Sequence, residues 1–300
     1  SPIPFMNGTD FPGLARALTA ETGIPAFSIP TSGMHDYVYG AGLALAEIAG
    51  HFTGTAEIST EKRKRKLNLL GVTPLDFGPQ PSVDAMKKRL EKYGWEILST
   101  WAMGDTLETL ARAGDADVNL VVSSLGIPAA NVLRERFGTP FLMGTPTEEY
   151  VETVVDALER AISEPVRNYD QKDLWKVTPD QVIYLQERKD TRKESSLPDI
   201  TVIGEPVTMG SLAASIEQRY GKKVQLLCPL EITEGLLRQG DEAICGEEAM
   251  EEKLKTARII LADPLYRPIC PENARFYEIP HLAFSGRIYF SFAHNIRKTT

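Results

Sequence analysis

The chain has 300 residues, a formal net charge of −8 and an apolar fraction of 42%. That is length for two or three domains of about 150 residues each, and apolar content enough for buried cores. The net negative charge argues against a general nucleic-acid or anionic-membrane surface, no apolar run approaches the ~20 residues of a membrane helix, and no signal peptide is visible.

The chain opens on Ser1-Pro2-Ile3-Pro4, and no strand precedes its first turn, so it reads as a piece cut just after a strand of a longer protein. Residues 1–60 read as the remainder of a truncated Rossmann-like domain: a helix over 12–22, a strand over 26–29 and a helix over 36–51. The basic run 62–66 reads as a solvated lead into a strand rather than a docking patch. Residues 61–165 read as a complete Rossmann-like domain. Its strands lie at 66–72, 95–99, 118–123 and 141–143, with helices at 82–93, 106–112, 129–137 and 147–162. Residues 166–197 form a helical connector ending in a charged loop over 187–196. Residues 198–300 form a C-terminal Rossmann-like domain, with strands at 200–203, 223–227 and 259–262 and helices at 209–220 and 247–256. The fold class is α/β: stacked Rossmann-like units with parallel sheets flanked by helices.

A helix–turn–proline–strand device recurs. Gly23-Ile24-Pro25 leads into 26–29, Gly138-Thr139-Pro140 into 141–144, and Ile279-Pro280-His281 into 282–286. Gly23 and Gly138 stand where a helix C-cap needs positive φ, and the proline blocks any return to helix. Ligands of parallel α/β domains gather past the strand tips, which singles out His35, Thr145 and His281.

There is no GxGxxG, GxxxxGK[ST], HExxH or GxSxG, so a nicotinamide dehydrogenase is disfavoured. Gly40-Ala41-Gly42 lies inside a helical pattern and reads as close helix packing. The turns at 71–76, 123–126 and 204–208 follow strands and present N–H groups that could bind an anion, although any doubly wound domain needs such turns. His281 could ligate a metal or donate a proton; a satisfied structural histidine is the plainer reading, for it and for His35. His51 and His294 read as surface or helix-end residues. The cysteines, Cys228, Cys245 and Cys270, are three in number, far apart and without a CxxC pair. They argue against a disulfide framework and a local zinc site and point to a reducing, cytoplasmic setting. Cys270 could reach the same crevice as His281, with a buried inert thiol as the plainer reading.

Together these motifs resemble the nitrogenase component 1 superfamily, which includes the molybdenum–iron protein subunits, their cofactor-assembly scaffolds and the dark-operative protochlorophyllide and chlorophyllide reductases. The resemblance runs through Asn7-Gly8-Thr9-Asp10, Gly23-Ile24-Pro25, Leu67-Asn68-Leu69-Leu70-Gly71, Asp115-Ala116-Asp117-Val118, Phe137-Gly138-Thr139-Pro140, Gly204-Glu205-Pro206 and Ile279-Pro280-His281 with Ser285-Gly286. Each motif is loose; their order and spacing carry the likeness.

The resemblance implies an oxidoreductase subunit that holds a metallocluster or tetrapyrrole in an interdomain cleft. It implies an iron–sulfur or related metallocluster as cofactor, electrons from a separate ATP-dependent iron–sulfur reductase, and a homologous subunit as dimer partner. In the catalytic α subunits of the family a histidine before a Ser-Gly ligates the cofactor metal, and His281 falls at that position. His281 is therefore the catalytic and metal-ligand candidate, with Cys270 as a second metal candidate, and His35, Asp76, Ser124 and Glu205 as cofactor-binding candidates at strand-end turns. The chain departs from the pattern in lacking the N-terminal domain with its bridging-cluster cysteines and a match to the cofactor-binding cysteine. Two other classes stay open: a non-catalytic cluster-assembly scaffold, and a two-domain small-molecule-binding module.

Overall fold

The structure, a computed structural model, describes residues 6–54, 65–163, 173–185 and 197–288. Lys62, Arg63 and Lys64 of the basic run, the charged stretch 187–196 and His294 lie outside the described residues. No helix among the described residues is long and apolar enough to cross a membrane.

Two parallel sheets organise the chain. The first comprises β1 (Lys66–Leu70), β2 (Glu96–Thr100), β3 (Val118–Val121) and β4 (Phe141–Met143) in the order β2-β1-β3-β4. β1 and β3 are buried almost throughout, as expected of short Leu/Val runs covered by helices on both faces. Their polar exception is paired across the sheet: Asn68 Nδ2 donates to Asn119 Oδ1 at 2.7 Å, and Ser99 Oγ donates to Asn68 Oδ1 at 2.7 Å. A buried amide with these partners fixes the register of β2, β1 and β3. The helix Tyr37–Phe52 packs along Ile127–Phe137. At Gly42 a Cβ would lie 2.6 Å from the Trp175 ring, so that glycine serves close packing.

The second sheet comprises β5 (Ile200–Ile203), β6 (Val224–Cys228), β7 (Glu242–Ala243), β8 (Ile259–Ala262) and β9 (Arg275–Glu278) in the order β7-β6-β5-β8-β9. The helix Pro206–Tyr220 follows β5, with proline in its first turn and Gly221 as its left-handed cap.

The structure differs from the sequence expectations in three places. Residues 26–29 are extended but belong to no strand, because no ladder partner lies beside them among the described residues. The third proline device is displaced by one element. The strand precedes the proline as β9, and His281 opens a one-turn helix, Leu282–Ser285. Pro280 has no N–H for the ladder, and the His281 N–H is taken by Asp263 at 2.6 Å. The described part of the connector forms two 3-10 turns, Pro179–Gln181 and Ile183–Leu185, instead of a longer helix. Ile183 and Tyr184 are buried there in the core that holds the first sheet.

Candidate functional site

In each sheet the strand order reverses once, between β1 and β3 in the first and between β5 and β8 in the second. Ligands of open parallel sheets bind past the strand ends at such a point. Asp76 follows β1, Ser123 and Ser124 follow β3, Glu205 follows β5 and Asp263 follows β8. The two reversal points face each other, and the residues at them meet.

Asp76 is the hub on the first side. Its Oδ1 accepts the Tyr37 hydroxyl at 2.5 Å, and its Oδ2 accepts Ser123 Oγ at 2.8 Å and Thr73 Oγ1 at 3.4 Å. From the second side comes His281, whose Nε2 lies 3.2 Å from the same Oδ1. The imidazole is 7% exposed and the Asp76 side chain is fully buried. The contact is close enough for an ion pair but not aligned as a hydrogen bond, and among the described residues neither ring nitrogen has a hydrogen-bond partner. The ring packs against Phe284, centroid to centroid 4.6 Å, and faces Tyr37 at 6.3 Å. Asp263 fixes the backbone that presents it, accepting the N–H groups of His281 and Leu265 and, at 2.7 Å, Ser285 Oγ.

Glu205 forms a second contact between the units. Its carboxylate accepts Thr208 N–H at 2.8 Å and Val207 N–H at 3.2 Å, which caps its own helix, and Ser124 N–H at 2.8 Å from the opposite unit. The turns at 123–126 and 204–208 do point N–H groups at an anion. That anion is the protein's own Glu205. Thr145 N–H donates to Ser211 Oγ across the same junction at 2.9 Å. At these residues the units touch directly rather than across an open cleft.

Of the residues expected at the site, Asp76, Ser124, Glu205 and His281 come to this junction. His35 lies to one side: its Nδ1 is 2.9 Å from Glu231 Oε2, its ring stacks on Tyr39, and it is partly exposed. Cys270 donates to the Tyr266 carbonyl and packs with the second sheet's core; among the described residues no bond or ion pair joins it to His281. Tyr37 and Asp263 were missed. Asp36-Tyr37 stands at the start of the helix expected over 36–51, but nothing local says which turn the phenol reaches.

Burial pushes the Tyr37 phenol far above its ordinary range, and the nearby carboxylates of Asp76, Glu205 and Asp36 add to it, so it remains a donor. Burial, and then the charge of Asp76, also pushes the Glu205 carboxyl up, against the opposing pull of its N–H donors. A raised folded-state pKa means that the folded protein holds this proton more tightly than the unfolded chain. Glu205 therefore contributes its full stability below the ordinary Glu value of about 4.3 and loses it as pH rises through the folded value. Glu205→Gln does not titrate. In urea unfolding at stepped pH, the wild-type advantage over E205Q is expected to be widest below about pH 4.3 and to narrow as pH rises through the folded value; a gap that widens with pH would contradict this assignment.

Iron–sulfur clusters are held by thiolates. Here burial pushes Cys228 up to about 12 and raises Cys270, while Cys245 is exposed and apart. Among the described residues no group of three or more His, Cys, Asp or Glu is arranged to hold a metal ion. The described residues thus do not fit such a cluster.

Comparison with known proteins gives consistent likenesses. The family model "Nitrogenase component 1 type Oxidoreductase" matches residues 3–255. A subunit of light-independent protochlorophyllide reductase from Rhodopseudomonas palustris (strain BisA53) is 28% identical over 176 residues, covering 54% of this chain and 33% of the relative. The corresponding subunit from Rubrivivax gelatinosus is 30% identical over 142 residues, 45% of this chain and 26% of the relative. The chain thus spans about a third or less of these relatives. The solved structure "Nitrogenase Cp1 at pH 6.5" shares the fold with a TM-score of 0.56 at 13% identity, over 99% of this chain and 73% of that one.

Proposed function

The chain belongs to the nitrogenase component 1 type oxidoreductases, and from that premise we propose that it is the proton-delivering part of a reductase subunit. The observation that carries this reading is the buried contact of His281 with Asp76 across the junction. Reducing an unsaturated bond consumes protons as well as electrons. An imidazole beside a carboxylate is a proton-transfer pair. Three hydroxyls, from Tyr37, Ser123 and Thr73, hold the carboxylate in place. His281 Nδ1 has no hydrogen-bond partner among the described residues and is the atom free to address a substrate.

In this reading the substrate is a tetrapyrrole or another unsaturated molecule that enters between the units. The names of the protochlorophyllide reductase relatives support the tetrapyrrole. Electrons come from a separate ATP-dependent iron–sulfur reductase by way of a metallocluster held elsewhere in the assembly, and a homologous subunit completes it. That the relatives are named as single subunits of a larger reductase supports such a partner. The unpaired thiols suit a cytoplasmic setting.

The test uses the intact protein with its homologous partner and the iron–sulfur reductase. Removal of a general acid costs about 10²–10⁴-fold in rate. His281→Ala and His281→Gln are expected to lose turnover by that factor while size-exclusion profiles show the assembly intact. Undiminished turnover in both variants would overturn the reading.

A further inference from the structure

Two carboxylates at the junction are built alike. Asp36 caps the helix Tyr37–Phe52: its Oδ1 accepts Tyr39 N–H at 3.2 Å. Its other oxygen accepts the N–H of Glu231, 195 positions along the chain, at 2.8 Å. Glu205 caps the helix Pro206–Tyr220 through Val207 and Thr208, and its Oε1 also accepts the N–H of Ser124, 81 positions away. A helix cap needs one side-chain oxygen. In both residues a further bond crosses to the opposite unit, a second for Asp36 and a third for Glu205, and the two crossings run in opposite senses.

The segments they grip matter to the site. Glu231 belongs to the excursion after β6, whose Leu230, Ile232 and Leu236 pack into the first sheet's core. Ser124 adjoins Ser123, which holds Asp76. The His35–Glu231 pair is about half-exposed and by itself holds little. His281 and Asp76 meet at the same junction, and with the imidazole 7% exposed a ligand reaches it only if the units part.

We propose that Asp36 and Glu205 are positioning residues, a pair of helix-cap latches that hold the two units where His281 meets Asp76 and that release to admit a ligand to His281. The latches stand on their hydrogen bonds; only the consequence at His281 rests on the function proposed above.

Cys228 is a built-in reporter. It lies at the end of β6, is fully buried, and both Glu205 and Asp36 are close enough to raise its thiol, after burial itself. Native-state labelling with iodoacetamide, read by peptide mapping, follows Cys228 separately from Cys245 and Cys270. Asp36→Asn and Glu205→Gln are each expected to speed Cys228 labelling about tenfold, equivalent to ~1.4 kcal/mol of opening. The double variant should exceed both, with Cys270 unchanged. Ser124→Pro removes the N–H and the hydroxyl by which Ser124 reaches Glu205 and leaves the cap bonds to Val207 and Thr208 in place. Its labelling should rise by the same factor with far-UV circular dichroism unchanged. Wild-type labelling rates in the folded variants, or a rise in E205Q without one in S124P, would overturn the latch and leave Glu205 as a cap alone. A rise in all of them beside full turnover in His281→Ala would keep the latch and refute the proton-delivery reading.

Discussion

Gly126→Ala is expected to destabilise the protein by about 3 kcal/mol, at the upper end of overpacking costs. A Cβ at this position would lie 2.7 Å from the Leu70 carbonyl carbon, 2.8 Å from Gly71 N and 2.9 Å from Leu70 O. All three are backbone atoms at the end of β1, so no side chain can rotate away. Gly126 has φ −80°, so the cost is the collision alone. Gly71 faces it, with φ +85° and a Cβ that would sit 2.6 Å from Ser123 O, so Gly71→Ala adds the left-handed penalty of ~1 kcal/mol to a similar clash. This glycine pair presses the turn after β1 against the turn after β3. That approach lets Ser123 reach Asp76 and Ser124 reach Glu205. Urea unfolding measures the loss, and a G126A midpoint within error of wild type would refute the contact.

Asp263→Ala is expected to cost about 4 kcal/mol, since each buried donor left without its acceptor costs roughly 1–3 kcal/mol and such losses are less than additive. Asp263 is 1% exposed, and its carboxylate accepts from two buried donors, His281 N–H and Ser285 Oγ, and from the part-buried Leu265 N–H. Asp263→Asn keeps the shape and one acceptor oxygen, so about half that cost is expected. Both variants release the turn that presents His281, and turnover of the intact assembly should fall with stability. His281→Ala is expected to lose turnover with a smaller change in unfolding midpoint than D263A, the cost of the cavity left by a buried ring whose nitrogens make no hydrogen bond among the described residues. Equal midpoints for D263A and wild type would show that Asp263 does not hold the turn.

Much of the fold could be read from short stretches. The helix stops at Gly23, Gly138 and Gly221 are left-handed caps in the structure, and the Leu/Val runs at 66–70 and 118–121 are buried parallel strands. These features follow from rules acting over a few residues. The strand placed at 26–29 failed because a strand is defined by its neighbour, and none stands beside it among the described residues. The strand placed after His281 failed because Pro280 and the grip of Asp263 end β9 first.

The candidate site was legible as a set of turns and not as a set of pairs. Asp76, Ser124, Glu205 and His281 were visible because each follows a strand or a proline at a tip. Tyr37 and Asp263 were not, because their roles lie in a phenol crossing to another unit's turn and a carboxylate holding a backbone brought in by β9.

Local elements, the parallel α/β class and the placing of polar residues at strand ends follow from the order of residues alone, since helix caps, strand runs and prolines act through near neighbours. That the two reversal points face each other, that Glu205 fills the anion-binding turns and that His281 meets Asp76 emerges from the three-dimensional arrangement. The physical reason is that such contacts depend on how two sheets are oriented against each other. They are single side-chain bonds between distant segments and leave no periodic mark in the chain.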